Sequence, residues 1–362
     1  MKNNINRKYF AVLFKKNISI LIFNTMIFTL FYIIPLVIKN SNPDYNPGGY
    51  YSLSTNYGFL IAILAIFAIF YPAVAFEYLN RKKQIDSYYS LPITRNSIAV
   101  LHIIFGLLSV IVPFTVVYFT GSIITLIKFK EITYYYYIIF YFLITFSFIL
   151  YFLFNTFFFT RANKISDGII TMMLANFVFA TVAWAIRCLF FPANDTSMLI
   201  VSSFIPFSGF IFYGNYFNDL IVAKYNYYDY CIDKANIDRV PLSYNEWMGY
   251  NIDEFKWIYL IILLCMAAIS IALFFVLHKK RKPENAEDIS NSKFGLRVIV
   301  PIIHICMGIV LAINTEIISG LILYCILIAS YIGFNIYELR SFKMPLYKII
   351  ILIVIISLMF IF

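Results

Sequence analysis

Residues 76–96 read FEYLNRKKQIDSYYSLPITRN, a compact, basic, proline-marked segment between two apolar runs. Glu77, Arg81, Lys82, Lys83, Asp86 and Arg95 surround Tyr88, Tyr89 and the run Leu91–Pro92–Ile93–Thr94. Pro92 can start or stop a short helix. A short helix over 80–90 is predicted, setting Tyr88, Tyr89 and Leu91 beside basic residues. The chemistry this mixture supports is recognition, a basic and aromatic surface docking into a groove on a cytoplasmic partner. The same residues also suit an ordinary basic loop that fixes membrane topology, and their types alone do not separate the two.

Other chemistries are not encoded. The chain has no GxxxxGK[ST] phosphate loop, so it cannot bind ATP by that route, and neither HExxH nor GxSxG occurs. His102, His278 and His304 share no motif, and a metal site is not expected. The five cysteines, Cys188, Cys231, Cys265, Cys306 and Cys325, form no CxxC pair and read as small buried hydrophobes. Charges within apolar runs are candidates for function. Arg187 lies toward one end of such a run, where it either snorkels to headgroups or lines a substrate path. Glu316 sits in a tight turn and reads as solvated.

The elements that must hold these residues are membrane helices. The chain is 62% hydrophobic and 13% charged, with mean hydropathy +0.82, well outside the composition of a soluble domain. Continuous apolar runs fall at about 18–38, 58–78, 98–127, 132–160, 169–191, 256–277, 298–313, 317–337 and 346–362. The fold class is therefore all-α polytopic membrane protein, and continuous rather than alternating hydrophobicity argues against a β-barrel. Pro113 and Gly121 predict a kink in the long third run. The first run reads as a retained span, and the last is short enough to lie in the interface. With the N-terminus inside, the inner segments collect most of the 28 lysines and arginines, among them Arg81–Lys83, Arg161, Lys164 and Lys279–Lys282. This bias puts the 76–96 stretch in the cytoplasm. The net charge of +10 then reads as loop cations facing anionic membrane lipid, with no nucleic acid as partner.

Residues 5–16 place Ile5, Tyr9, Val12 and Lys16 near helical spacing and predict an N-terminal helix in the cytoplasmic interface. An external region at 192–255 opens with an apolar segment broken by Pro206, Gly209 and Gly214, which predicts a re-entrant hairpin. A polar, tyrosine-rich cap follows it. Residues 278–297 form a charged cytoplasmic linker between a front part, 1–277, and a tail of about three additional helices, 298–362.

The stretch FEYLNRKKQIDSYYSLPITRNSI resembles the first cytoplasmic loop of ABC-2-type transporter permeases. Glu77, Arg81, Leu91, Pro92, Thr94 and Arg95 match that family's pattern of a Glu at the end of the second span, a basic stretch, and Leu-Pro-hydroxyl-basic before the third. SSFIPFSGF at 202–210 falls where the family's re-entrant hairpin is expected. The resemblance covers roughly 1–277 and implies a six-span ABC-2-type exporter core with an interface helix and hairpin. It implies that residues 79–97, with Lys82, Lys83, Asp86 and Tyr89 among them, form an ATPase-coupling loop. It further implies separate ABC ATPase subunits that carry ATP and Mg, no cofactor bound by this chain, and a second permease subunit in a homo- or heterodimer. The expected role is export of an amphipathic substrate (a peptide antibiotic, drug or lipid) across a bacterial plasma membrane, in multidrug or antimicrobial peptide resistance. A non-transporting scaffold or sensor subunit of a resistance or signalling complex is the alternative. The three-helix tail departs from the minimal family pattern.

Overall fold

The computed structural model describes residues 2–41, 57–128, 134–190, 202–206, 208–209, 211–213, 216, 231, 243, 257–281, 284, 286–288, 295–314 and 317–361. The described residues form helices and connecting turns, with no strands among them. In chain order the helices are α1 (Lys2–Lys16), α2 (Ile18–Phe28), a π-helical turn (Thr29–Ile33), α3 (Ile34–Ser41), α4 (Tyr57–Phe76), a 3₁₀ turn (Glu77–Asn80) and α5 (Lys82–Tyr89). They continue with α6 (Arg95–Lys128), α7 (Tyr134–Phe159), α8 (Ile165–Phe190), α9 (Trp257–His278), α10 (Leu296–Asn314), α11 (Ile317–Leu339) and α12 (Leu346–Ile361). Among the described residues, eight helical stretches are long and apolar enough to cross a membrane, and a ninth, Leu346–Leu358, is shorter. Exposed Phe, Ile, Val and Leu side chains cover these helices, as expected where lipid is the solvent.

The chain divides into two compact units, each drawn from separate pieces of sequence. The first comprises Met1–Ala68, Ile104–Ile149 and Gly209–Leu260. Its core is aromatic. Phe28 meets Phe67 edge-on at 5.4 Å, and Tyr32 stacks on Tyr118 at 6.3 Å. Tyr118 donates to the Tyr137 carbonyl at 2.9 Å. Gly121 makes the close approach of Tyr32 possible, since a Cβ there would collide with the ring. Pro113 has no N–H, so the Ser109 carbonyl one turn back loses its helical donor. The buried Asn24 side chain supplies the missing donor, Nδ2 to the Ser109 carbonyl at 2.7 Å. Helix α6 thus runs continuously from Arg95 to Lys128 with Pro113 inside it.

Helix α1 forms as expected, yet Val12 is 66% exposed while its neighbour Leu13 is buried. An apolar residue of a helix lying along a membrane faces lipid, so the exposure of Val12 does not conflict with that placement.

The second unit comprises Ile69–Ile103, Leu150–Ser208 and Ile261–Phe362. Helices α10, α11 and α12 pack with α8 around Leu296, Val300, Tyr331 and Ile355, with Ile170 and Leu174 of α8 against them. Polar groups tie the same assembly. Asp167 of α8 accepts from Tyr337 at 2.8 Å and lies 3.5 Å from Arg340. The fully buried Lys348 pairs with Glu338 at 2.6 Å. Asn176 donates to Asn155 at 3.0 Å, joining α8 to α7.

All five cysteines are free, but Cys265 and Cys325 are exposed, which corrects their reading as buried. On a membrane helix, apolar character brings a residue to lipid as readily as to the core.

Candidate functional site

The 79–97 loop lies wholly within the second unit. The predicted short helix over 80–90 exists as α5, two residues shorter at its start and one at its end. It is anchored by Ile85, which is buried, and by Tyr88, whose ring packs 4.6 Å from Tyr78 and 5.5 Å from His102. Tyr89 is half-buried beneath the Arg95 guanidinium, 4.3 Å from the ring centre. Burial pushes the Tyr89 hydroxyl above its ordinary pKa, while Arg95 and Arg281 pull it back. The two tyrosines thus serve the loop's own packing and are not simply displayed.

The remaining loop residues divide between structure and surface. Glu77 and Arg81 form an i,i+4 ion pair, both about half exposed, a geometry that contributes little to stability. Thr94 is the N-cap of α6. Its Oγ1 lies 2.7 Å from Ser97 Oγ and accepts from the Ser97 N–H at 3.4 Å, and its carbonyl takes the Ile98 N–H. Leu91 is half-buried and its carbonyl accepts from Ile93 N–H at 2.7 Å, closing the turn that Pro92 occupies. Lys83, Asp86 and Pro92 remain exposed.

Beneath the loop lies a residue the sequence reading does not single out. Arg281 Nη1 donates to the Thr160 carbonyl at 2.6 Å, and Nη2 to the Leu79 carbonyl at 2.9 Å and Asn80 Oδ1 at 2.8 Å. Thr160 follows the last residue of α7 and Leu79 lies in the 3₁₀ turn after α4. The guanidinium therefore supplies donors where helix-end carbonyls lack them, and it sits at the negative ends of both elements. Burial pulls Arg281 down to about 10, so it remains a cation at neutral pH. Arg161 is lowered to about 10 as well, first by burial and then by repulsion from Arg281. The signal available in sequence is that Arg281 is the only arginine in the run Lys279–Lys282. Its planar fork spreads fixed donors over separate nitrogens, which suits acceptors on two different elements better than the compact ammonium of a lysine.

The linker folds onto the same loop. Glu287, in a left-handed backbone conformation (φ 68°), donates its N–H to the Asn163 carbonyl at 2.9 Å. Its carboxylate accepts from the Lys82 backbone N–H at 3.2 Å, satisfying a first-turn donor of α5 that Arg81 does not cap. Asp288 lies 3.4 Å from Lys82 Nζ.

The other expected site residues lie elsewhere. Arg187 is half-buried in the last turn of α8. Pro206 is buried, and Gly209 is buried with Tyr259 Cβ 3.5 Å from where its own Cβ would be. Gly214, like most of the expected cap at 192–255, lies outside the described residues. Among the described residues no group of His, Cys, Asp and Glu could hold a metal ion.

No protein-family model, curated protein or solved structure matches the chain.

Proposed function

We propose that this chain is the membrane permease subunit of an ABC-2-type transporter, with the 79–97 loop as the dock for a separate ATPase subunit. The observation that carries the reading is how the loop is held. The exposed face of α5, with Lys83 and Asp86, is backed by a half-buried guanidinium that grips the ends of two apolar helices from the start of the linker. A loop that only sets topology requires no such fastening. A rigid docking element does, because a push on α5 must reach the spans rather than dissipate in the loop. In this account ATP and Mg bind the partner ATPase. ATPase closure shifts α5, and two permease chains alternate between states that the nucleotide biases. The N-terminus is cytoplasmic, the membrane is a bacterial plasma membrane, and the substrate is amphipathic and exported.

The test is affinity purification of the full chain from its native membranes in mild detergent, followed by identification of co-purifying subunits. The expected result is a subunit carrying a GxxxxGK[ST] loop, depleted at least tenfold when Lys83→Glu and Pro92→Ala are combined, with thermal stability unchanged. Absence of such a subunit, or its unchanged recovery with the variant, defeats the proposal. Transport into inverted vesicles of the complex then separates a permease from a scaffold or sensor, which would bind the ATPase without moving a substrate.

A further inference from the structure

Among the described residues, the cationic cluster beneath the loop has no anion paired with it. Arg161 and Arg281 are both half-buried with their Nε atoms shielded, and Arg281 bonds the carbonyl of Thr160, the residue next to Arg161. The ion pairs among the described residues join Arg81 to Glu77, Lys82 to Asp288, Arg340 to Asp167 and Lys348 to Glu338, and none reaches either guanidinium. The linker's own acids are spent elsewhere or turned outward. Glu287 and Asp288 engage Lys82, and Glu284 is exposed. The fully buried His278 lies within electrostatic reach of Arg281, Arg161 and Arg95 and adds no negative charge.

Five buried nitrogens of this cluster also find no partner: Arg161 Nε, Arg281 Nε, Asn80 Nδ2 and the two ring nitrogens of His278. Asn80 is 2% exposed, and its amide orientation is fixed because Oδ1 takes the Arg281 bond. The first three are donors, as is one nitrogen of a neutral imidazole, so donors outnumber acceptors four to one and the missing group is an acceptor. Water could satisfy donors, but it would leave two half-buried, neighbouring cations uncompensated, a costly arrangement. The place in the fold narrows the choice further. Apolar spans end at Asn80, Phe159 and His278 and begin at Arg95 and Ile165, so the cluster lies at the level of the lipid headgroups. Basic pockets between helix ends at that level hold phosphate headgroups.

We propose that Asn80, Arg161 and Arg281 form a binding site for a phosphate group at the membrane interface, supplied by an anionic phospholipid headgroup or by free phosphate. The site is independent of ATPase docking and stands or falls without it. Arginine forks match phosphate oxygens in a bidentate manner. Occupancy would cancel the repulsion between the two guanidiniums and brace the loop.

The test uses the full chain, delipidated in a neutral maltoside detergent, with thermal unfolding followed at constant ionic strength. Phosphatidylglycerol in mixed micelles should raise the apparent Tm by several degrees, and phosphatidylcholine should not. If inorganic phosphate alone produces the shift, the source is free phosphate and the site stands. Arg161→Gln, which keeps the Arg281 bonds intact, should abolish most of the response. Asn80→Asp places a built-in carboxylate beside Arg281, so it should raise the baseline Tm and remove the response, a result that loss of structure cannot imitate. The proposal is overturned if neither phosphatidylglycerol nor phosphate stabilises the protein beyond phosphatidylcholine and chloride. It is equally overturned if Arg161→Gln retains the full shift.

Discussion

Replacing Arg281 with methionine removes one guanidinium while keeping most of its volume. The structure sets the scale of the effect. Three charge-assisted hydrogen bonds of 2.6–2.9 Å are lost, to the Thr160 carbonyl, the Leu79 carbonyl and Asn80 Oδ1. An orphaned buried acceptor costs about 1–3 kcal/mol. Two opposing effects reduce the total. Water can reach part of this interface, and removing Arg281 relieves its repulsion of Arg161. The net loss should be ~2–4 kcal/mol, or about 5–10 °C in apparent Tm for the second unit. Thermal unfolding of the detergent-solubilised chain reads this directly. Lys279→Met and Lys280→Met are the controls, since both lysines belong to the same basic run but are exposed. They should unfold within about 1 °C of the parent. If Arg281→Met also unfolds within about 1 °C, the guanidinium does not hold the helix ends together and the rigid-dock argument loses its foundation.

Further substitutions probe other joints of the fold. Asn24→Leu should cost ~1–2 kcal/mol by stranding the Ser109 carbonyl, and adding Pro113→Ala should recover much of it by restoring the helical donor; a double-mutant cycle in thermal unfolding checks this. Gly121→Ala should cost ~1–3 kcal/mol by forcing Tyr32 from its stack on Tyr118, and the loss should shrink when Tyr32→Leu is present, read by the same unfolding assay. Thr94→Ala should cost ~1 kcal/mol through loss of the α6 cap, with Thr94→Ser near neutral when both are compared by thermal unfolding.

Much of the scaffold is legible before any coordinates. Runs of apolar residues mark the spans because lipid demands them continuously, and the structure moves their ends by only a few residues. Arg95 joins α6 because Thr94 caps it, whereas hydropathy alone starts the run at Ile98. The short helix of the loop is also readable, since Pro92 interrupts the chain after a helix-compatible run. What escapes is everything set by contacts distant in sequence. Pro113 and Gly121 carry a kink signal in sequence, but Asn24 and Tyr32, from another helix, define what each does. Tyr88 and Tyr89 look available for a partner, yet Tyr78 and Arg95 occupy them. Arg281 is indistinguishable by hydropathy from the lysines around it, and only the meeting of two helix ends shows why a guanidinium is needed there. The tail helices read as an appendage, while Asp167, Tyr337 and Arg340 bind them to α8.

Docking of an ATPase requires α5 to face the cytoplasm. A single cysteine at position 83, in a chain whose five native cysteines are replaced by alanine, can be probed in intact cells with a membrane-impermeant maleimide. Labelling that occurs only after the cells are opened is the predicted result. Labelling of intact cells from outside would put the loop on the wrong face for any ATPase and contradict the proposed function outright.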